Sequence, residues 1–202
     1  MSKFYEKFII FFFLFFPSLT YAHVQHYDNL NSIEFDIYRN NKLIGQHVFS
    51  FKKKDDQISV ESEINFEIKK LGVVLYKYHV KGVEVYKAGN LVQFNSKTNQ
   101  NGKTKYVNIN LENNDLVIDG SSFKGKVTTD FLIGTWWNHS IVKAPAQISA
   151  VSGRIIKQNV TFLGKKSIKI GNKKFETLHF NFSSLDKSLD KDKKLNTDVW
   201  YE

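Results

Sequence analysis

Apolar and polar residues alternate along most of the chain after His23, and the longest alternating stretch covers residues 58–68. The apolar face of this stretch carries Ile58, Val60, Ile64, Phe66 and Ile68. Alternation over this length predicts a strand with one face buried and the other face in water. Because parallel strands are usually buried on both faces, the same pattern favours an antiparallel sheet.

Turn sequences separate the alternating stretches, and Asn101-Gly102 is the strongest of these hairpin signals. Near the middle of the chain the alternation changes phase, because apolar positions 76, 78 and 80 are followed by apolar positions 83 and 85. Gly82 lies at this change. We therefore expect a β-bulge at Gly82.

Residues 121–150 lack clean alternation and contain two adjacent tryptophans and a proline. This pattern predicts an irregular or short helical insertion, with a helix near residues 129–134. The remaining chain holds about ten strands joined by short turns, and such a meander must curl to cover its shared apolar face. We predict an all-β fold, a single antiparallel meander that forms a strongly curved sheet, half-barrel or barrel. A two-sheet β-sandwich is the alternative.

The first 22 residues have the three parts of a cleavable secretory signal. Lys3 and Lys7 precede an apolar run at residues 8–16, and Ala22 is the small residue before the expected cut. The run is too short for a membrane-spanning helix, which needs about 20 apolar residues. We therefore expect a signal peptide at 1–22, one all-β domain at 23–202, and a periplasmic or secreted location with no transmembrane segment after cleavage.

The chain is basic, with 29 Lys+Arg against 20 Asp+Glu, but Arg39 and Arg154 are its only arginines. Arginine supplies the planar fork that grips phosphate and guanine, so scattered lysines argue against a nucleic-acid partner. A weak attraction of these lysines to anionic lipid remains open. The chain has no cysteine, which excludes disulfides, thiol catalysis and a cysteine-linked lipid anchor.

No catalytic motif of high specificity is present, and the six histidines do not have the spacing of a known zinc site. Cleavage after Ala22 exposes His23 as an amino-terminal residue, which makes His23 and His26 a candidate copper site. A frayed terminus without a ligand is the alternative. His47 and His79 are expected to be exposed or hydrogen-bonded. We expect no cofactor, and the sequence favours a protein that is not an enzyme.

Aromatic residues are the remaining signal for a binding site. Trp136 and Trp137 lie in the irregular segment, and adjacent side chains point in different directions. Packing of both rings against the core is their commonest role, whereas a pocket for an apolar or lipid-like ligand is the functional alternative. The candidate ligand contacts are Trp136, Trp137, Tyr76 and Tyr78.

Four segments together resemble a known family: residues 33–51, residues 76–103, the GTWWN sequence at 134–138 and the DVWY sequence at 198–201. The chain is similar there to the exported bacterial proteins of domain of unknown function 6134. That family is itself similar to other periplasmic β-proteins of unknown function. The resemblance implies an exported all-β domain and no particular activity. Similar sequences continue past the Trp-Tyr pair, so we expect a final strand to be lacking, with a short terminal edge strand as the alternative.

These observations favour non-enzymatic binding of a hydrophobic or lipid-like ligand, or of a partner in the cell envelope. A structural or assembly factor of the envelope without a small ligand is one alternative. The second alternative is an enzyme whose site is assembled from distant strands. A cavity in the interior would support the first hypothesis, whereas a solid core would support a structural or assembly factor. The sequence predicts no oligomeric state.

Overall fold

The computed structural model describes residues 30–190 and 193–202. The predicted signal peptide at 1–22 and the candidate copper ligands His23 and His26 lie outside the described residues. The strands are β1 (Ser32–Arg39), β2 (Lys42–Lys54), β3 (Gln57–Lys70), β4 (Val73–Lys87), β5 (Asn90–Gln100), β6 (Lys103–Glu112), β7 (Asp115–Gly120), β8 (Lys124–Thr128), β9 (Leu132–Ile133), β10 (Ala146–Ile148), β11 (Ile155–Ile170), β12 (Lys173–Ser184) and β13 (Asn196–Tyr201).

The strands form two sheets. β1 to β8 lie side by side in chain order and every neighbouring pair is antiparallel, which is a meander. The second sheet has the order β13-β12-β11-β10-β9, and its β9–β10 pair is parallel. The predicted all-β antiparallel meander is confirmed. The described strands form a curved main sheet with a second sheet beside it, and they do not close into a barrel.

The irregular segment also follows the prediction in outline. Within residues 121–150 it contains short strands and one 3-10 helix, His139–Lys143. The helix lies later than the expected 129–134 because Asn138 caps it, with the side-chain Oδ1 of Asn138 accepting a hydrogen bond from Ser140 N. Among the described residues, no helix combines the length and apolar character needed to cross a membrane.

The core lies between the inner face of the main sheet and the segment that leads into the second sheet. Ser96 Oγ on β5 donates a hydrogen bond of 2.5 Å to Ala150 O, which ties the two parts together. Full burial of each large apolar side chain contributes about 1.5–3 kcal/mol. The buried cluster consists of Phe49, Phe51, Val60, Tyr86, Leu91, Phe94, Val107, Ile109, Leu116, Ile118, Ile133, Trp137 and Ile148.

The expected bulge at Gly82 is wrong. β3 and β4 pair without interruption around Gly82, which lies opposite Ser62, and the irregularities fall nearer the strand ends. A Cβ on Gly82 would lie 3.1 Å from Oγ of Ser62 and 3.2 Å from Cε2 of Phe94, so the glycine leaves room for the Phe94 ring to pack against the backbone there. The inner face of β4 therefore continues in phase and carries Glu84 into the core. The predicted hairpin at Asn101-Gly102 is confirmed between β5 and β6.

Candidate functional site

A groove of about 650 Å³ opens between the beginning of the main sheet and the far end of the second sheet. Among the described strands, the outer edges of β1 and β13 have no partner, and the groove runs between these two edges. Both sheets supply apolar side chains to its wall, and these include Ile33, Phe35, Phe49, Ile168, Phe175 and Val199. The two sheets therefore enclose an apolar space where they fail to meet.

The segment 134–138 forms the floor of the groove, with Thr135, Trp136 and Trp137 in contact with it. Trp137 is only 3% exposed, and its ring packs edge-on against Phe51 at 5.4 Å and Tyr86 at 5.7 Å. Trp136 is half-buried and has a φ of 70°, a left-handed conformation that is rare outside glycine. This backbone turn sends the two adjacent rings to different surroundings.

Two contacts hold Trp136 in this strained conformation. Its ring packs edge-on against the buried Phe182, with ring centres 4.8 Å apart. Its carbonyl oxygen accepts a hydrogen bond of 3.1 Å from the hydroxyl of Tyr201 on β13. Strained backbone persists only where the surroundings over-determine it, and it is common at ligand sites. Trp136 therefore joins the floor of the groove to the second sheet.

A buried carboxyl group supports the floor from behind. Glu84 is 1% exposed and accepts hydrogen bonds from Thr135 Oγ1 (2.7 Å), Trp137 Nε1 (2.9 Å) and Tyr86 Oη (2.5 Å). Burial raises the pKa of Glu84, and the three hydrogen bonds oppose part of that rise. Burial and the neighbouring carboxyl also raise the pKa of Tyr86 well above its usual value. Two of the three donors, Thr135 and Trp137, belong to the floor of the groove. The network therefore fixes the position of the floor.

His47 is the polar group that distinguishes the wall of the groove. Its ring lies 4.1 Å from the ring of Phe49 and 6.3 Å from that of Phe35. Its Nε2 is buried and has no hydrogen-bond partner among the described residues, which corrects the expectation of an exposed or satisfied histidine. Burial lowers the pKa of His47 to about 4, so the imidazole is neutral at pH 7. Because Nε2 itself is buried, the ring presents a neutral and mainly apolar surface to the groove.

The titration of His47 makes stability depend on pH. Its pKa falls from 6.5 in the unfolded chain to about 4 in the folded protein, so the unfolded state binds more protons between these values. Its contribution to stability is complete above pH 6.5 and is lost as the pH falls towards 4. We expect His47→Phe to lose less stability than the wild type between pH 7 and pH 4. Urea unfolding of both proteins at both pH values measures this, and equal losses would contradict it.

The structure brings together two of the four predicted ligand contacts. Trp136 and Trp137 line the groove, whereas Tyr76 and Tyr78 lie farther along the inner face of β4 and are not part of its wall. Their rings stack on Phe66 at centre distances of 6.0 and 5.0 Å. Burial raises the pKa of Tyr78 to about 12. These tyrosines therefore form a separate aromatic stack.

The other sequence candidates lie outside the groove. His79 is on the outer face of the main sheet, with its Nε2 2.8 Å from Oε1 of Glu63. Within residues 30–190 and 193–202, no group of three or more histidines and carboxylates is arranged to hold a metal ion. A second depression of about 430 Å³ on the outer face is lined by polar groups such as Glu61, Glu63 and Lys81. These solvated charges do not favour an apolar ligand.

The fold and the groove define a β-barrel-like protein whose open side is an apolar cleft. Residues 35–202 match the sequence profile of Domain of unknown function (DUF6134), so the chain belongs to this family, as the sequence resemblance predicted. A search among curated proteins finds no match.

A solved structure has a similar fold. It is the crystal structure of a beta-barrel-like protein of domain of unknown function DUF1849 from Brucella abortus. The two chains are 12% identical over 77% of this chain and 76% of the other, with a TM-score of 0.50. At this identity the likeness concerns the fold alone.

Proposed function

We propose that this protein is an exported bacterial envelope protein that binds an apolar, lipid-like ligand in the groove between its two sheets, without catalysing a reaction. The observation that carries the proposal is the groove itself, with its volume of about 650 Å³ and its mainly apolar wall. Ligand sites typically measure about 300–1,000 Å³ and combine an apolar lining with a few placed polar groups. Thr135 and Thr177 are among the polar residues of the wall here.

The amino-terminal sequence supports the proposed location. A basic start, an apolar run at residues 8–16 and Ala22 together form a secretory signal. The chain has no cysteine, so the exported domain is held together by core packing without disulfides. We place the protein in the periplasm or outside the cell.

The chemistry of the groove favours an amphiphile with a hydrocarbon chain. Each methylene that leaves water contributes about 0.8 kcal/mol, so about ten methylenes contribute about 8 kcal/mol before the costs of association. Because a dissociation constant of about 1 μM needs about 8 kcal/mol of net binding free energy, a longer hydrocarbon chain is required to offset those costs. The ligand class is therefore a fatty acid or a similar single-chain lipid.

The buried carboxyl group of Glu84 gives little support to the enzyme alternative. Glu84 is held by three protein donors and lies behind Thr135 and Trp137 instead of facing the groove. A general acid or base must reach the group that it protonates or deprotonates. Glu84 thus behaves as a positioning residue for the floor.

A charged residue placed in the wall of the groove tests the proposal. Ile168 on β11 lines the groove and is half-buried, so Ile168→Glu puts a carboxylate against the bound hydrocarbon. We expect this variant to weaken binding of the fluorescent apolar probe N-phenyl-1-naphthylamine at least about tenfold, which is 1.4 kcal/mol. Titration of delipidated protein, followed by competition with a long-chain fatty acid, measures the effect.

Leu163→Glu is the matched control, because Leu163 lies on the same strand, is exposed and does not line the groove. It should bind the probe like the wild type. The proposal fails if the wild type binds neither probe nor fatty acid, or if the two variants bind equally well. Failure of the wild type to bind would favour an assembly factor without a small ligand.

A further inference from the structure

The hairpin formed by β3 and β4 continues beyond its hydrogen-bonded pairing with the two neighbouring strands. β2 pairs with β3 only as far as Phe66, and β5 pairs with β4 only from Tyr78 onward. Beyond these points, among the described residues, 67–70 and 73–77 pair in the sheet only with each other, and Lys77 O still accepts a hydrogen bond of 2.8 Å from Asn101 N in the next turn. Four residues of extended strand span about 13 Å, so the hairpin tip stands about that far from the last residues that pair with β2 and β5.

The tip of this hairpin is apolar. Leu71 is 95% exposed, Val73 is 62% exposed and Leu75 is 54% exposed, and Val74 between them is also exposed. Because successive strand residues point to opposite faces, both faces of the tip present apolar surface. A two-stranded hairpin is marginally stable in water, and contiguous exposed apolar surface marks an interaction site.

The turn itself shows that the apolar side chain is not a requirement of the fold. Leu71 has a φ of 50° and Gly72 a φ of 80°, which is the left-handed geometry of a tight hairpin turn. Asn or Asp normally occupies the first of these positions because leucine is strained there. The equivalent first positions of the other main-sheet turns carry Asn40, Asp55, Ala88, Asn101 and Asn113, so Leu71 is the one large apolar side chain among these described turns. Leucine at the outermost point therefore needs an explanation other than turn formation.

Basic residues surround the base of the tip. Lys69, Lys70 and Lys77 flank it on its own two strands, and Glu67 is the neighbouring acid, paired with Lys69 at 2.9 Å and Lys77 at 3.2 Å. The two adjacent turns at the same end of the sheet are also basic, with Asp36 as the nearby acid on β1. These turns contribute Arg39, Lys42, Lys103 and Lys105. This end of the molecule is therefore an apolar point within a positive collar.

We propose that the tip at residues 71–75 is a membrane-docking element that inserts into the surface of an anionic lipid bilayer. Apolar side chains that enter the acyl boundary, with lysines at the level of the headgroups, are the pattern of interfacial membrane binding. The lysine collar meets the negative surface potential of such a bilayer. A second copy of the chain would bring two positive collars together, and like charges disfavour that pairing.

The inner face of the main sheet connects the hairpin tip with the groove. His47 in the groove pairs with Ile64, and one step along β2 and β3 on the same inner face Gly45 pairs with Phe66. Phe66 stacks on both Tyr78 and Tyr76, and Tyr76 is the member of this stack nearer the tip. An apolar track thus runs along the inner face from the tip towards the groove. Docking itself rests on the tip and its lysines and does not require that the groove hold a ligand.

A fluorescent label at the tip tests the proposal. Because the natural chain has no cysteine, Leu71→Cys provides a unique thiol for the environment-sensitive dye NBD. On phosphatidylglycerol vesicles we expect a blue shift and at least about a twofold rise in NBD emission, since the dye leaves water for the acyl boundary. High salt should reduce the rise because it screens the lysines. The dye reports on residue 71 alone, so the apolar run at residues 8–16 does not affect the readout.

Leu163→Cys is the control, since Leu163 is equally apolar, exposed on β11 and outside the hairpin. Its NBD emission should not change on the same vesicles. An unchanged signal at residue 71 on every vesicle overturns the proposal. An equal response on phosphatidylcholine vesicles overturns the role of the lysines, and a response that depends on protein concentration without vesicles shows a second copy as the occupant. Probe binding in the groove is measured without vesicles, so its failure is distinguishable from failure of docking.

Discussion

Replacing Glu84 by alanine is expected to lower the free energy of unfolding by about 3–5 kcal/mol. The change removes the acceptor for Thr135 Oγ1, Trp137 Nε1 and Tyr86 Oη at a position that is 1% exposed. A buried donor without a partner costs about 1–3 kcal/mol, and the truncated side chain adds a cavity. Glu84→Gln keeps an acceptor oxygen, so we expect it to cost about 1–2 kcal/mol.

Urea unfolding of the three proteins at one pH measures these losses, and Glu61→Ala is the control. Glu61 lies on the exposed face of β3, where it pairs with Lys52, and an exposed ion pair contributes about 1 kcal/mol at most. A loss for Glu84→Ala no larger than that for Glu61→Ala would show that the network does not support the floor.

The raised pKa of Glu84 also predicts the direction of a pH effect. In the folded state this carboxyl holds its proton at pH values where it is ionised in the unfolded chain. Its contribution to stability is therefore complete below the ordinary carboxyl pKa and is lost as the pH rises through the raised value. Glu84→Gln lacks this titration, so its deficit relative to the wild type should shrink as the pH rises.

Trp137→Ala is expected to cost about 3–5 kcal/mol, and Trp136→Ala considerably less. Trp137 is buried against Phe51 and Tyr86 and donates to Glu84, whereas Trp136 is half-buried and packs mainly against Phe182. The truncation at Trp136 should instead impair ligand binding, because its ring forms part of the floor of the groove. Unfolding and probe titration of both variants separate the two effects.

Equal destabilisation by the two substitutions would contradict this division between the adjacent tryptophans. The double variant of Glu84 and Trp137 provides a further check, since residues in one hydrogen-bond network show coupling of about 0.5–3 kcal/mol. Additive losses would mean that the hydrogen bond between Trp137 Nε1 and Glu84 does not link them energetically.

Local alternation predicts most of the strands because each one has one face in the core and one in water. The stretch at 58–68 became β3, and Asn101-Gly102 became the predicted hairpin. The same reasoning failed at Gly82. It placed Val83 and Val85 on the inner face of β4, but both side chains are only half-buried. The ring of Phe94 above Gly82 preserves the phase, and a contact between two strands cannot be read from one of them.

The site was only partly predictable for a related reason. The Trp136-Trp137 pair was recognisable because adjacent aromatics in an irregular segment are unusual. Glu84 was not, because the mistaken phase placed this carboxylate on the solvated face. His47 lines the same groove as residues of the second sheet more than 100 positions away along the chain, so its burial could not be read from its own strand. Tyr76 and Tyr78 share the inner face but lie beyond the reach of the second sheet, so periodicity alone overestimated their role.

Methyl NMR during titration with a single-chain fatty acid tests the central claim most directly, because it locates the ligand on the protein. The claim is that the groove between the two sheets binds an apolar, lipid-like ligand. We predict saturable shifts of the methyl groups of Ile33, Ile168 and Val199, which line the groove, and little change at Leu163 on the exposed part of β11. Shifts confined to the hairpin tip, or no saturable shifts at the groove methyl groups, would contradict the claim.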